Sequence, residues 1–174
     1  MIRSSLIFLI MINLLSCKTI KDLPTVKNVD IEKYSGQWYE IARLPNSFEK
    51  GLECVTAKYT VKKNGKIEVL NKGYSSENSG EFKTAKGTAW IPNAKYPGRL
   101  KVTFFWPFSG NYYIISLDEN YKYALVGDPS RKYLWILSRR RSLESLTYSK
   151  LLDIAKNNGF DINNIININQ DCDY

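Results

Sequence analysis

Side chains that could carry out chemistry are few in this chain, and histidine is absent from it altogether. Without an imidazole there is no Ser-His-Asp triad, no Cys-His pair and no histidine-bound zinc or haem. Acid–base work would fall to Asp, Glu, Lys or Tyr, and the sequence offers no nucleophile paired with a base. We therefore predict no catalytic residue, no metal site and no cofactor, and we expect a binding protein rather than an enzyme.

The length and charge of the chain limit its class. A chain of 174 residues, 44% of them hydrophobic, suits one domain with a substantial core. The formal net charge of +8 is compatible with nucleic acid, an anionic membrane surface or an acidic ligand, or simply with a solvated basic surface. Lysines are scattered, Arg139-Arg140-Arg141 is the only dense basic run, and no nucleic-acid-binding motif occurs. We expect no nucleic-acid partner.

Three features of the N-terminus predict export and lipidation. Arg3 supplies a short positive region, and the apolar run at 6–15 has the length of a signal-peptide core, too short for a membrane span. The run ends in Leu14-Leu15-Ser16-Cys17, which resembles a bacterial lipobox; the alternative is an ordinary signal peptide with an incidental cysteine. The resemblance implies that Cys17 is lipidated and that several acyl chains anchor it stably. The predicted segments are a signal peptide at 1–16, a tether at 17–29 and a folded domain at 30–174.

Cys54 and Cys172 are the two remaining cysteines. Export would place them in an oxidising compartment, where an even pair favours a disulfide. Such a bridge would close a long loop and hold the C-terminal tail on the domain, a constraint worth roughly 4–5 kcal/mol in the chain-entropy model. The alternative is a reactive thiol, which would have no histidine to activate it.

Short strand signals recur between residues 36 and 138, separated by turns. Among the turns, Asn64-Gly65 is the strongest hairpin signal. Evenly spaced strands without intervening helices favour an up-and-down antiparallel meander, and eight such strands can close into a barrel without free edges. The predicted strands cover residues 38–42, 55–62, 66–74, 81–91, 100–106, 112–117, 122–126 and 133–138.

One helix is predicted after the strands, because apolar residues recur there on roughly one face. Gly159 stands where a left-handed C-terminal cap belongs, and residues 160–168 alternate weakly, as a final short strand would. An apolar stripe needs a partner surface, and the outside of the barrel is the available one. The predicted fold is therefore all-β, an eight-stranded antiparallel up-and-down barrel with one C-terminal α-helix packed outside. The apolar helix positions are Leu143, Leu146, Leu151, Ile154 and Ala155.

The barrel interior is predicted to be aromatic with a few polar groups. Strand residues alternate in direction, so an inward Trp38 would bring Glu40 and Ala42 inward as well. Trp135 shares its face with Leu137 and Arg139 in the same way. Apolar walls with a few polar groups are typical of a ligand pocket, although a solid aromatic core is the alternative. The candidate ligand-binding residues are Tyr59, Asn71, Trp90, Phe104, Trp106, Tyr112 and Trp135.

Three blocks of sequence, in order, resemble the lipocalin family. Gly36-Gln37-Trp38-Tyr39 matches the Gly-x-Trp signature that opens the first strand. Tyr123-Ala124-Leu125-Val126 is similar to the seventh strand, and Leu134-Trp135-Ile136-Leu137-Ser138-Arg139 to the eighth, which ends in the family's arginine. The longer run at 34–43 resembles bacterial lipocalins and apolipoprotein D. The likeness extends over nearly all of residues 30–170.

The resemblance implies structural roles for several residues. It implies that Trp38 plugs the closed end of the barrel and that Arg139 lies across its ring, a contact worth roughly 0.5–2 kcal/mol. It also implies that Gly36 permits close backbone approach at the turn into the barrel. Cys54 and Cys172 match the positions of a disulfide in apolipoprotein D-like members.

A function is implied by the same resemblance. The expected ligand is a fatty acid or lysophospholipid, bound for storage or transport by a lipoprotein of the bacterial outer membrane that faces the periplasm or the cell surface. The expected state is a monomer or homodimer, and the loop at 45–51 occupies the position of a lid. Two alternatives remain: a structural envelope lipoprotein with a filled barrel, and a lipocalin-type enzyme acting on lipids.

Overall fold

A computed structural model of the protein describes residues 22–75 and 80–172. Its eight long strands form one closed antiparallel barrel, because the first strand pairs with both the second and the eighth. A ninth, two-residue strand pairs with Ala42 and Arg43 of the first strand, beyond the residues that pair with the second strand. The predicted barrel with a C-terminal helix is confirmed. The elements are α1 (Ile31–Tyr34), β1 (Gly36–Arg43), β2 (Leu52–Val61), β3 (Ile67–Ser75), β4 (Glu81–Trp90), β5 (Arg99–Phe105), β6 (Phe108–Leu117), β7 (Tyr123–Gly127), β8 (Leu134–Ser138), α2 (Ser145–Asn157), a 3₁₀ helix (Ile162–Asn164) and β9 (Ile166–Asn167).

All eight predicted strands are present, and β6 shows the largest difference from its predicted boundaries. It begins at Phe108 rather than at 112, although Gly110 and Asn111 have low strand propensity. Both residues are held extended by pairing with β5, Gly110 opposite Val102 and Asn111 opposite Lys101. Tertiary pairing therefore overrides local preference along this hairpin.

The final strand predicted at 160–168 is wrong for most of its length. Only Ile166–Asn167 pairs with β1, and Ile162–Asn164 forms a 3₁₀ helix instead. The Asp161 side chain accepts a hydrogen bond from the Asn163 backbone N–H, which caps this helical turn and competes with an extended conformation.

Two hydrophobic clusters lie on opposite sides of the barrel wall. The inner cluster lines the barrel interior, and the outer cluster lies between α2 and the outer face of β6, β7, β8 and β1. Alternation along each strand divides the residues between them. The inner cluster is centred on Trp38, Tyr59, Val69, Ala89, Ile114 and Leu137, and the outer cluster on Leu23, Ala42, Leu125, Ile136, Leu151 and Ala155.

Helix α2 packs on the barrel through Leu151 and Ala155, which are fully buried. Gly159 follows the helix with a φ of +85°, and its N–H bonds to the Lys156 carbonyl, as predicted for a left-handed cap. The prediction that Leu146 shares the buried face is wrong, because Leu146 is 84% exposed. At about 100° per residue it lies some 140° around the helix from Leu151, whereas Ala155 lies only about 40° away.

The N-terminal segment forms part of the domain from Asp22 onwards. Leu23 is fully buried in the outer cluster, the Val26 N–H donates to the Ile114 carbonyl at 2.9 Å, and Asp22 bonds to Arg99 at 2.6 Å. The part of the predicted tether at 22–29 is thus packed on the barrel. Residues 1–16 and Cys17 lie outside the described residues. No helix within 22–75 or 80–172 is long and apolar enough to cross a membrane.

Candidate functional site

Trp38 seals one end of the barrel. Its side chain is fully buried, and its indole N–H donates to the Tyr34 carbonyl at 2.8 Å. The Arg139 guanidinium lies over the indole, 3.9 Å from the ring centroid, as predicted. Helix α1, which carries Tyr34, covers this end, so we call it the closed end and the other the open end.

Arg139 also binds five backbone carbonyls of the closed end. Nη1 donates to the Gln37 carbonyl at 2.8 Å, and Nη2 donates to those of Lys33 and Ser35, each at 2.8 Å, and to that of Tyr34 at 3.1 Å. Nε donates to the Tyr121 carbonyl at 3.2 Å. One side chain therefore joins α1, the start of β1 and the β6–β7 turn.

Gly36 makes this closure possible. Its φ is +95°, and a Cβ at this position would lie 3.2 Å from Arg139 Nη1. A side chain here would be strained both by the backbone conformation and by the guanidinium.

Three tyrosine hydroxyls meet above Trp38. The Tyr112 hydroxyl lies 2.6 Å from that of Tyr34 and 2.8 Å from that of Tyr59. Burial raises the pKa of all three phenols above the usual value, so they stay protonated. Three hydroxyls hold three protons and two are used in the two bonds, which leaves one for donation to another group.

A buried ionic cluster lies towards the open end. Arg43 Nη1 donates to Glu40 Oε1 at 2.6 Å, and Nη2 donates to the Glu49 carbonyl at 2.6 Å. Arg43 Nε lies 4.0 Å from Glu49 Oε2, too far for a hydrogen bond. Burial, with a smaller contribution from Glu49, raises the pKa of Glu40 to about 8 despite Arg43. One arginine thus faces two acidic side chains, of which Glu40 has the raised pKa.

The prediction that Ala42 points inward is wrong, and a β-bulge explains the error. The β1–β8 register shifts between Glu40 and Ala42. Ile41 and Ala42 both pack in the outer cluster as a result, and Arg43 turns towards the interior beside Glu40. A bulge carries no periodic signal, so the sequence pattern did not reveal Arg43 as a site residue.

Loop 44–51 closes over this cluster at the open end. Glu49 Oε2 accepts hydrogen bonds from Asn46 Nδ2 at 2.6 Å and from Trp135 Nε1 at 3.0 Å. The Phe48 ring stacks near Tyr133 and Trp135, with centroids 5.7 and 6.4 Å apart. Trp135 of β8, one of the candidate ligand-binding residues, therefore contacts the predicted lid loop through both Glu49 and Phe48.

The C-terminal tail is fastened beside the same loop. Cys54 and Cys172 form a disulfide, as predicted, and the Cys54 N–H bonds to the Asn169 carbonyl at 2.8 Å. Gln170 Nε2 donates to the Glu40 carbonyl at 2.7 Å and to the Val55 carbonyl at 3.0 Å. The tail thereby satisfies backbone groups where β1 and β2 diverge.

The interior holds five of the seven predicted ligand-binding residues. Trp90 is on the outer face, because its neighbour Ala89 is in the inner cluster opposite Val102. Trp106 lies in the β5–β6 turn and is 86% exposed, so its predicted inward orientation is also wrong. The Trp90 error arose because strand alternation was counted in the wrong phase, and the Trp106 error because β5 ends at Phe105. The five interior residues are Tyr59, Asn71, Phe104, Tyr112 and Trp135.

Two polar atoms on the inner face are buried without a hydrogen-bond partner, Asn71 Oδ1 and Arg43 Nε. Asn71 lies two positions beyond Val69 on β3, hence on the same face. Burying such atoms unpaired costs about 1–3 kcal/mol each, so a polar partner would stabilise each of them. No cluster of carboxylates and thiols that could hold a metal ion occurs within 22–75 and 80–172.

The barrel wall is incomplete between β4 and β5. The two strands pair only at Thr88, Ala89 and Trp90 of β4, and residues 81–86 of β4 are exposed on both faces. The Phe104 ring lies against Gly87, where a Cβ would be 2.9 Å from ring carbons. A groove of about 410 Å³ runs along this junction, and Phe104 and Trp106 contribute to its lining.

Comparison with known sequences gives a consistent set of relatives. Residues 29–170 match the model of the lipocalin-like domain family. The outer membrane lipoprotein Blc of Vibrio cholerae serotype O1 is 47% identical over 146 residues, covering 83% of this chain and 85% of that one. The Escherichia coli K12 protein of the same name is 41% identical over 150 residues, covering 86% and 84%. Mouse apolipoprotein D is 40% identical over 157 residues, covering 84% and 80%.

A solved structure shares the architecture. Insecticyanin from the tobacco hornworm Manduca sexta superposes with a TM-score of 0.67 at 27% sequence identity, over 85% of this chain and 84% of that one. The barrel with its external helix is therefore common to these proteins.

Proposed function

The chain belongs to the lipocalin-like domain family, and from this membership we propose that it binds a small hydrophobic ligand inside its barrel. The ligand class we propose is a fatty acid or lysophospholipid, held for storage or transport in the bacterial cell envelope. The protein would act by binding alone, as a monomer or homodimer, without covalent change to the ligand.

One observation carries the proposal: polar atoms are left unpaired on the inner face. A barrel filled by its own side chains would satisfy Asn71 Oδ1 and Arg43 Nε, because unpaired buried polar groups are costly. An amphiphile supplies an apolar chain for the inner cluster and acceptor oxygens for Arg43 Nε, and the hydroxyl of a lysophospholipid would in addition donate to Asn71 Oδ1. Acyl burial contributes roughly 0.8 kcal/mol per methylene, offset in part by ordering the chain.

The location of the charge suggests how the ligand is oriented. Arg43 is near the lid loop, whereas the deeper interior around Trp38 and Val69 is apolar apart from the tyrosine hydroxyls. We place an anionic head group towards Arg43 and the acyl chain towards the closed end. Tyr112 and its two partners would then lie near the end of the acyl chain.

The cellular location follows from the lipidation prediction and from the relatives. The relatives from Vibrio cholerae and Escherichia coli are named outer membrane lipoproteins. Cys17 stands at the end of a lipobox-like sequence, five residues before the first described residue, Asp22. We propose that Cys17 carries the lipid anchor and holds the barrel at the outer membrane, on its periplasmic face or at the cell surface.

Ligand binding is tested with protein purified without detergent, by native mass spectrometry and by uptake of a fluorescent fatty acid. Ala57→Phe adds an aromatic ring to the inner face between Trp38 and Asn71, and should reduce uptake at least tenfold. Thr60→Phe makes a similar change on the exposed outer face of the same strand and should leave uptake unchanged. Absence of any lipid together with no uptake by the wild type would instead identify a filled, structural barrel.

A second variant guards against a folding defect in the first. Asn71→Leu keeps the side-chain volume and removes the unpaired oxygen, so the barrel should fold and melt at least as high as the wild type. Its affinity for a lysophospholipid should fall relative to that for the fluorescent fatty acid. Steady turnover of either lipid by the wild type would contradict a purely binding function.

A further inference from the structure

Exposed aromatic side chains are concentrated at the open end of the barrel. Of nine large hydrophobic residues exposed within the described chain, six lie at this end. The other three are in the turn before β5, on α2 and in β9. Solitary exposed hydrophobic residues are ordinary, but a contiguous group marks an interaction surface. The six are Phe48, Phe82, Phe105, Trp106, Phe108 and Tyr133.

The centre of this group is the β5–β6 hairpin tip, which we define as Phe105, Trp106, Pro107 and Phe108. Phe105 pairs with Phe108 across the turn, and the three aromatic residues are 81%, 86% and 78% exposed. Such exposure removes them from any role in the core. The tip thus carries three exposed aromatic rings on four residues, together with the indole N–H of Trp106 as a hydrogen-bond donor.

We propose that this hairpin tip is a membrane-docking element that inserts into the interfacial region of a phospholipid bilayer. Trp is the residue that prefers this region, because its ring is apolar while its N–H can bond to head groups and water. The tip is too small to span a bilayer. Its rings would insert to the level of the head groups and upper acyl chains, the depth that amphipathic helices reach at a membrane surface.

The charge around the tip favours an anionic lipid surface. Lys50, Lys72, Lys83 and Lys132 are exposed at the open end, against the exposed acidic residues Glu53, Glu81 and Asp171 among the described residues there. The groove beside Trp106 is lined by three further lysines and one acidic residue, Glu68, which pairs with Lys62 at 3.0 Å. Lysines close to an anionic membrane are attracted to its negative surface potential. A second copy of this chain would bring the same positive charge and is disfavoured by repulsion.

The length of the N-terminal tether allows the tip to reach the bilayer; this step rests on the proposed lipidation of Cys17. Five residues from Cys17 to Asp22 span at most about 17 Å. Asp22 is bonded to Arg99 at the start of β5, and Phe105 ends that strand six residues later. Six steps in a strand tilted by about 40° cover about 15 Å along the barrel axis. An anchor and the hairpin tip can therefore engage the same membrane.

The experiment uses the mature, lipidated protein in vesicles of phosphatidylethanolamine and phosphatidylglycerol, with and without brominated acyl chains that quench tryptophan. The difference between the wild type and Trp106→Phe isolates the emission of Trp106. We expect this emission to be quenched by brominated lipid. In Phe105→Ser/Phe108→Ser the quenching should fall at least threefold, because the flanking rings no longer insert.

Leu146→Ser is the matched control, since it makes the same change at an equally exposed apolar residue on α2. It should leave the quenching of Trp106 unchanged. Equal Trp106 emission with and without brominated lipid would overturn the proposal. So would a blue shift of Trp106 that depends on protein concentration and not on vesicles, since it would assign the tip to a second copy. Fatty-acid uptake, measured on the same samples, reports the proposed function separately and should survive loss of the two phenylalanines.

Discussion

At the scale of single residues, Arg139 is a structural residue whose geometry explains its position beside Trp38. It combines a cation–π contact at 3.9 Å with hydrogen bonds to carbonyls of α1, β1 and the β6–β7 turn. A lysine could supply the charge but not this planar, multiply donating arrangement. The guanidinium holds the closed end shut and leaves the ligand-facing interior untouched.

We predict that Arg139→Ala lowers the free energy of unfolding by about 2–4 kcal/mol, because several carbonyls lose their donor and Trp38 loses its cation. Ligand uptake should persist in the folded fraction. Urea unfolding measures the first effect and fatty-acid titration the second. Arg140→Ala, at the exposed next position, should change stability by less than about 0.5 kcal/mol. A wild-type unfolding midpoint with abolished uptake would give Arg139 a functional role instead.

Glu40 gives the barrel a pH dependence of its own. Its pKa is about 8 in the folded protein and 4.5 as an ordinary glutamate, mainly because of burial. Between these values the unfolded chain has released a proton that the folded chain still holds. The contribution of Glu40 to the free energy of unfolding is therefore fully present below pH 4.5 and falls as the pH rises towards 8. Above pH 8 it no longer changes, and the slope between these values is at most about 1.4 kcal/mol per pH unit.

We predict that Glu40→Gln removes this component of the pH dependence, because the amide is neutral at every pH. Urea unfolding at pH 5, 6, 7 and 8 should show wild-type stability falling more steeply than that of Glu40→Gln. Glu53→Gln, an exposed change on β2, serves as control and should follow the wild-type curve. Parallel curves for the wild type and Glu40→Gln would mean that Arg43 keeps Glu40 ionised throughout.

At the scale of elements, the contacts of α2 depend on its phase against the barrel. Leu151 and Ala155 meet Leu125, Leu134 and Ile136 of the wall in the outer cluster. Apolar residues extend further around the helix than the face that contacts the barrel, since Leu146 is apolar but exposed. Burial, and not hydrophobic character, therefore decides which leucines stabilise the fold.

We predict that Leu151→Ala destabilises the protein by about 2–4 kcal/mol, through lost burial and the cavity that remains. Leu146→Ala, five residues earlier on the same helix, should cost less than about 0.5 kcal/mol because Leu146 is already in solvent. Chemical denaturation of the pair measures the difference, and helix propensity cancels because the substitution is identical. Equal losses would show that α2 packs in another phase in solution.

At the scale of the whole molecule, closure of the barrel is secured at both ends by contacts distant in sequence. Arg139 joins residues about a hundred positions away at the closed end. Cys54 and Cys172, 118 residues apart, join the tail to β2 near the open end. In the chain-entropy model a loop of that length contributes roughly 4–5 kcal/mol. Between these two ends, the part of the wall with the fewest paired residues is the β4–β5 junction.

The closed end and the open end of the barrel differ in structure. The closed end combines the buried Trp38 with satisfied hydrogen bonds. The open end combines the lid loop, the unpaired Arg43 Nε and the exposed hairpin tip. Ligand exchange and membrane docking are thus proposed at the same end, where the wall is also incomplete.

The sequence by itself determined the strand count, the barrel, the helix on its outside, the disulfide and the Trp38–Arg139 contact. Alternation of apolar residues and the turn Asn64-Gly65 are local signals, and local signals suffice to identify elements. The contact came from resemblance, which transfers positions between related folds, and the disulfide from the pair of cysteines in an exported chain as well as from resemblance. Five of the seven candidate ligand residues face the interior as predicted, because strand direction alternates, and their contact with a ligand stays a prediction.

Only the tertiary structure decided which face of each strand points inward wherever the register changes. Because of the bulge in β1, Arg43 and not Ala42 points into the interior. Pairing with β5 places Trp90 on the outer face. The β5–β6 turn carried Trp106 beyond the end of the wall into solvent. A register shift of one residue reverses the direction of a side chain, and the shift arises from hydrogen bonds between strands distant in sequence. No local pattern contains that information, which is why the ionic cluster and the exposed hairpin tip emerged only from the folded barrel.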